Sequence, residues 1–239
     1  MSSFSPSRRS NSLMLWLAFM VLLVALMILL GGATRLTNSG LSITEWRPVS
    51  GALPPMSEAA WASEFEKYRQ IPEFSAENPD MNISGFKFIY FMEWSHRQLG
   101  RFIGVAYFLP LLFLLGFGRI RREHRFRFIS ILFLIGFQGA IGWWMVSSGL
   151  GEGRVDVSQY RLATHLAIAF IILGVMFWTF LDVRQNWPTH AIMPKLKIRM
   201  NILLILVFLQ VIAGAFVAGT HAGRAYNTWP LMDGGFVPQ

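Results

Sequence analysis

The sequence predicts an all-α fold, a polytopic membrane helical bundle, and three observations predict it. Only 14% of the residues are charged while 54% are hydrophobic, far below the roughly 25% charge of a water-facing domain. Five apolar runs, at 13–31, 86–117, 128–147, 159–181 and 200–219, are long enough for the about 20 residues that cross a bilayer. The basic residues between these runs collect on one side, as the positive-inside rule requires of a multi-pass chain.

Each element follows in order. The tail 1–12 carries Arg8 and Arg9 ahead of the first run. That run is longer than the apolar core of a secretory signal, about 7–15 residues, and "GGATRL" is a poor cleavage site, so it is expected to stay as a helix. The segment 32–85 holds Glu45, Glu58, Glu64, Glu66, Glu73, Glu77 and Asp80. Within it "MSEAAWASEFEKYRQI" has a Ser57 start signal and Trp61, Phe65 and Tyr68 at helical spacing, which predicts a short amphipathic helix at the outer interface.

With the N terminus inside, the inner segments carry Arg8, Arg9, Arg119, Arg121, Arg122, Arg125, Arg127, Arg184, Lys195, Lys197 and Arg199. The outer segments carry Arg35, Arg47, Lys67, Arg69, Arg154 and Arg224. The net charge of +8 is therefore a topology signal and does not point to nucleic acid. The chain has no cysteine, which removes disulfides, thiolate metal sites and cysteine nucleophiles.

An internal repeat organises the chain. The first run exits through "GGATRLTNSGLSITEWRPV" and the fifth through "AGAFVAGTHAGRAYNTWPL". Both hold T-x-x-G-x5-W, as Thr37, Gly40, Trp46 and as Thr220, Gly223, Trp229, each preceded by a Gly-Ala pair, Gly32-Ala33 and Gly214-Ala215. The third run gives a fainter echo of the fifth, "QGAIGWWMVSSGL" against "QVIAGAFVAGTHAG". A duplicated four-helix unit is the expectation. Residues 13–181 form the first unit, and 182–239 hold an inner loop, a fifth helix and an outer tail that open a second. Three further helices are expected to complete it.

The chemistry sits in "FMEWSHRQLGRF", residues 91–102. Ionisable residues in a spanning helix are costly and face a cavity or a partner. Glu93 and Arg97, four apart, can simply pair on the helix. His96 shares a face with Gly100 and Gly104, and a histidine above a glycine groove suits a flat macrocycle. His165, in "SQYRLATHLAIAF", lies at comparable depth on a run of the same direction. One membrane histidine is more often a packed hydrogen-bond donor than a ligand. Two matched ones favour bis-histidine haem ligation, for which neutral imidazole is a good axial ligand. His124, His190 and His221 are expected to carry no chemistry.

"TRLTNSGLSITEWRPVSGALPP", "EWSHRQLGR" and "AGTHAGRAYNTWPLMDGGFVP" together resemble the heme A synthase family, in the branch shared by alphaproteobacteria and mitochondria. Another branch carries cysteine pairs in its outer loops, and this chain has none. The resemblance implies eight helices in two pseudo-symmetric halves, each with a histidine pair. It also implies oxidation of a methyl group of heme O to the formyl of heme A, with heme b resident in the C-terminal half. It makes His96 and His165 the iron ligands for the substrate heme and Glu93 the acid that handles protons.

Arg97, Arg101 and Arg161 become candidates for the heme propionates, since guanidinium pairs bidentately with carboxylate. An interface anchor is the alternative for each. The implied setting is the bacterial inner membrane with the N terminus in the cytoplasm, beside heme O synthase and terminal oxidase assembly factors. A membrane cytochrome b electron carrier and a non-enzymatic oxidase assembly protein are the rival readings.

Overall fold

The computed structural model describes residues 8–151, 153–184, 194–228 and 230–237. Five long helices are long and apolar enough to cross a membrane: α1 Arg8–Leu36, α4 Ile83–Gly116, α5 Arg122–Ser147, α6 Gln159–Arg184 and α7 Pro194–Gly219. Between α1 and α4 lie α2 Glu58–Arg69 and α3 Pro72–Glu77, and a short α8, Ala222–Ala225, follows α7. Among the described residues the only β feature is an isolated bridge between Met232 and Gly235.

The long helices alternate in direction. One end of the bundle bears the start of α1 and the Arg-rich turn at 117–121, and is called the basic end. The other bears α2 and α3 and is called the cap end. Helix α6 is the hub and packs against α1, α5 and α7, while α4 closes the unit against α1 and α5. The intramembrane core is built from Leu17, Met20, Leu23 and Val24 of α1, Ile103, Tyr107, Leu111 and Leu114 of α4, Phe128 and Ile131 of α5, and Ile172 and Met176 of α6. Large apolar side chains such as Phe133 and Leu204 stay exposed, as a lipid-facing surface requires. The ion pair of Arg127 with Asp182 ties α5 to α6 near the basic end.

Proline inside α4 is accommodated by a neighbour. Pro110 has no N–H, which leaves the carbonyl four residues back without its helical donor. That carbonyl belongs to Ala106, and the Trp16 indole Nε1 of α1 donates to it at 3.0 Å. The helix therefore continues through the proline to Gly116.

The cap has its own core. Ser57 accepts from the Ala60 N–H at 3.2 Å and starts α2 as the sequence signals. Trp61 and Tyr68 are buried and Phe65 packs with them, against Phe86 and Tyr90 on the first turns of α4. The apolar face of α2 thus covers α4. Glu73 is buried there at 5% exposure. The Tyr68 hydroxyl donates to its Oε1 at 3.1 Å, and Asn78 Nδ2 donates to that hydroxyl at 2.8 Å. Burial pushes the Glu73 carboxyl up to about 8.

The two repeated exit turns are built alike. Thr37 Oγ1 donates to Ala33 O at 2.9 Å and Thr220 Oγ1 to Phe216 O at 2.8 Å. The next residue is left-handed in both, Asn38 at φ 47° and His221 at φ 54°. This register places Gly31, not Gly32, opposite Gly214. The left-handed residue fixes the correspondence, so the Gly-Ala pairs are offset by one. Trp229 and His190 lie outside the described residues.

Candidate functional site

The site residues project from the cap-end halves of α4 and α6. From His96 to Gly116 the helix rises about 30 Å, the thickness of the hydrocarbon. From His165 to Asp182 it rises about 26 Å. Both histidines therefore stand at similar rises from the basic ends of their helices.

Each histidine is seated on a glycine of the neighbouring helix. A Cβ on Gly31 of α1 would stand 3.0 Å from His96 Nε2. A Cβ on Gly142 of α5 would stand 3.0 Å from His165 Cε1. Ordinary carbon contacts are about 3.5–4.0 Å, so a methyl at either position pushes on the ring. Gln138, one turn before Gly142, donates from Nε2 to the His165 carbonyl at 2.9 Å and lies 3.4 Å from His165 Nε2. The His165 Nδ1 and Gln138 Oε1 atoms are buried without a hydrogen-bond partner. Buried polar atoms without partners are uncommon in native folds, and of three among the described residues, Trp94 Nε1 being the other, two meet at a histidine expected to bind iron. Gly100 is packed by Met27, whose Cε lies 3.3 Å from a built Cβ, while Gly104 has nothing within 4 Å. The groove expected beneath His96 is thus open at Gly104 and filled at Gly100.

Glu93 is buried at 3% exposure and accepts four hydrogen bonds. Its Oε2 takes the Ser42 hydroxyl at 2.7 Å and the Ile43 N–H at 2.8 Å, and its Oε1 takes Arg97 Nε at 3.0 Å and Arg97 Nη2. A proton on either oxygen would displace one of these donors. Arg97 also donates from Nη2 to Ile43 O at 2.9 Å and from Nη1 to Glu45 O at 3.3 Å. All three guanidinium nitrogens of Arg101 are engaged as well, with Pro48 O at 2.9 Å, Arg47 O at 3.0 Å and Gln98 Oε1. Arg97 and Arg101 therefore fasten the segment after α1 onto α4.

Arg161 differs. Its Nη1 donates to Trp144 O at 2.7 Å and Ser147 Oγ at 3.3 Å, and the guanidinium lies 4.7 Å over the Trp144 ring. Its Nε and Nη2 have no partner among the described residues. It stands one turn from His165 toward the cap end, with donors to spare.

The remaining histidines divide. His124 lies 3.7 Å from Glu123 at the basic end. His221 joins a charge node: its Nε2 is 2.6 Å from Asp156 Oδ2 and 2.9 Å from Arg35 Nη2, and Arg35 also donates to Ala218 O at 2.9 Å. Burial opposes ionisation of Asp156, but the Arg35 and His221 hydrogen bonds hold its carboxyl below the usual range. The node ties α1, the α5–α6 loop and the exit of α7 together. Sequence reasoning missed Gly31, Gly142, Gln138 and Ser42. The Q-x3-G spacing shared by Gln138–Gly142 and Gln210–Gly214 is the signal that marks the α5 seat.

Comparison with known proteins agrees with the family read from the motifs. The profile of the cytochrome oxidase assembly protein family (COX15-CtaA) matches residues 14–239. The chain is 50% identical to the heme A synthase of Maricaulis maris over 236 residues, covering 99% of this chain and 69% of that protein. It is 50% identical to the heme A synthase of Bradyrhizobium diazoefficiens, covering 98% and 64%, and 52% identical to that of Parvibaculum lavamentivorans, covering 93% and 64%. The chain thus spans about two thirds of the length of the curated relatives it matches. No solved structure matches it. With a profile match over nearly its whole length and half of its residues shared with these relatives, the chain belongs to the cytochrome oxidase assembly protein family.

Proposed function

We propose that this chain is the heme O-binding portion of a heme A synthase, an oxidoreductase that converts a methyl group of heme O to a formyl. The observation that carries the reading is the histidine pair. His96 and His165 come from the cap-end halves of two parallel helices, each held against a glycine, with unsatisfied buried polar atoms at the second. Neutral imidazoles in that position suit the iron of the substrate heme. Arg161 has free donors at the level where a propionate would meet the interface, so it is the preferred carboxylate partner. Arg97 and Arg101 act as clamps for the segment after α1.

The reaction takes methyl to hydroxymethyl and then to a gem-diol, an external oxidant accepting two electrons and an oxygen atom being inserted at each step; the diol then loses water to leave the aldehyde. The chain's residues would hold the ring and exclude water from around it. Among the roles open to Glu93, its four donors favour positioning. It holds Ser42 and Ile43, and with them the start of the segment after α1. Proton handling at Glu93 during turnover would first require one of those bonds to open.

The basic asymmetry supports a cytoplasmic N terminus in the inner membrane, which makes the cap end the outer end. Heme O synthase would supply the substrate, oxidase assembly factors would take the product, and heme b would belong to a C-terminal half.

The test is pigment identity. Full-length protein purified from cells making heme O should yield heme O or heme A on extraction, with a low-spin spectrum. His96→Ala and His165→Ala should each abolish the low-spin signal of the substrate heme and the yield of heme A. Recovery of heme b alone from the parent would point to an electron carrier. Unchanged spectra in both alanine variants would remove the ligand assignment.

A further inference from the structure

The chain between the exit turn of α1 and the start of α2 contains only one short 3-10 turn, Ser50–Ala52. Three of its apolar side chains are widely exposed: Val49 at 83%, Leu53 at 71% and Met56 at 80%. A water-facing loop would gain nothing from such a surface. Its backbone, however, is fastened to α4 deep along that helix. Gln98 Nε2 donates to Ala52 O at 2.8 Å, and Arg101 donates to Pro48 O at 2.9 Å and to Arg47 O at 3.0 Å. A Cβ on Gly51 would stand 3.2 Å from Arg101 Nη2, so the loop is pressed against the helix.

Depth follows from helix geometry. Gln98 and Arg101 stand about 27 and 22 Å along α4 from Gly116, inside the about 30 Å of hydrocarbon. Irregular backbone at such a level is tolerated only where protein or a water-filled cavity satisfies its polar groups, so that lipid meets side chains alone. Gln98 and Arg101 do this for three carbonyls of the loop, those of Arg47, Pro48 and Ala52. Trp46, at the loop's start, packs on Trp143 at 4.9 Å between ring centres, and paired tryptophans are typical of the membrane–water boundary. Arg47 is exposed and turns its charge to Glu45 and Glu64, as a residue does when its stem lies in the apolar layer and its head in water.

We propose that residues 47–56 form a wedge sunk into the cap-end leaflet, with Val49, Leu53 and Met56 in contact with lipid acyl chains. The partner of this surface is the bilayer. The wedge stands independently of the histidine pair and its substrate.

The absence of native cysteine makes the test direct. Val49→Cys, Leu53→Cys and Met56→Cys in the full chain each provide one site for an environment-sensitive nitrobenzoxadiazole label. The labelled proteins are reconstituted in phosphatidylcholine vesicles and exposed in turn to a lipid nitroxide carried near the headgroup and to a water-soluble nickel chelate. Glu66→Cys on exposed α2 serves as the aqueous reference and Phe133→Cys on α5 as the lipid reference. Labels at 49, 53 and 56 should show a blue-shifted emission and a ratio of lipid to aqueous quenching severalfold above that at 66. Chelate quenching equal to that at 66 would overturn the wedge. Protection from both quenchers would overturn it too, because it would mean cover by protein.

Discussion

Replacing Glu93 by glutamine separates a clamp from a reacting acid. One oxygen of the amide can keep the Ser42 and Ile43 bonds, but the amide nitrogen then faces Arg97, donor against donor. Turning the amide over restores Arg97 and sets the nitrogen against the Ile43 N–H instead. Either way, charge-assisted bonds to a side chain only 3% exposed are lost. Breaking a buried ion pair by removing one partner costs about 3–5 kcal/mol. For a chain of this length that corresponds to a fall in Tm of roughly 10 °C.

The assay is thermal unfolding in detergent, paired with limited proteolysis of the 38–57 segment, which should be cut faster once its anchor loosens. Arg97→Gln should lose a comparable amount. The double variant should lose clearly less than the sum, with a coupling of about 0.5–3 kcal/mol. An unchanged Tm and unchanged proteolysis in Glu93→Gln, together with lost heme A formation, would refute the clamp and return Glu93 to the chemistry.

Two further outcomes test the seats and the cap. Gly31→Ala should disturb the low-spin spectrum of bound heme, because its methyl would stand 3.0 Å from His96 Nε2; Gly32→Ala, with nothing within 4 Å, should leave the spectrum intact. The cap should lose stability as pH rises from about 4.5 to about 8. Glu73 is pushed up to about 8 in the fold from an ordinary 4.5, so the folded state binds the extra proton, and its stabilising effect is complete below the lower value and gone above the upper. The slope should approach about 1.4 kcal/mol per pH unit within that window, and Glu73→Gln should flatten it in melts compared at acid and alkaline pH.

Much of the bundle is legible in the sequence because the bilayer imposes length. The runs at 86–117 and 159–181 become α4, Ile83–Gly116, and α6, Gln159–Arg184. Hydropathy marks where lipid ends rather than where a helix ends. Thus α1 runs on to Leu36, with Thr34 bonding back to Leu30 O at 2.8 Å and Arg35 reaching Asp156. Ser57 and the Trp61–Phe65–Tyr68 spacing foretell α2, whereas α3 carries too short a pattern to read. The histidines are legible as residue types out of place in lipid. Of their glycine seats only Gly142 carries a signal, the Q-x3-G spacing it shares with Gln210–Gly214; the packing of His96 on Gly31 has no trace in local spacing. Nor could the sequence say that Arg97 and Arg101 would meet backbone carbonyls. Which groups lack donors is known only once the segment after α1 has folded over α4.

The bond from Trp16 to the Ala106 carbonyl makes two residues far apart in the chain into one unit of inheritance. Replacing Pro110 with alanine restores a donor for that carbonyl, and the indole is then surplus. Replacing Trp16 with phenylalanine strands the carbonyl in an apolar core, at a cost of about 1–3 kcal/mol. The proline is harmless only while the tryptophan stands, and the tryptophan's N–H, as distinct from its packing on Tyr107 and Phe128, matters only while the proline does. A lineage can discard both in one order, proline first, and be penalised for the reverse.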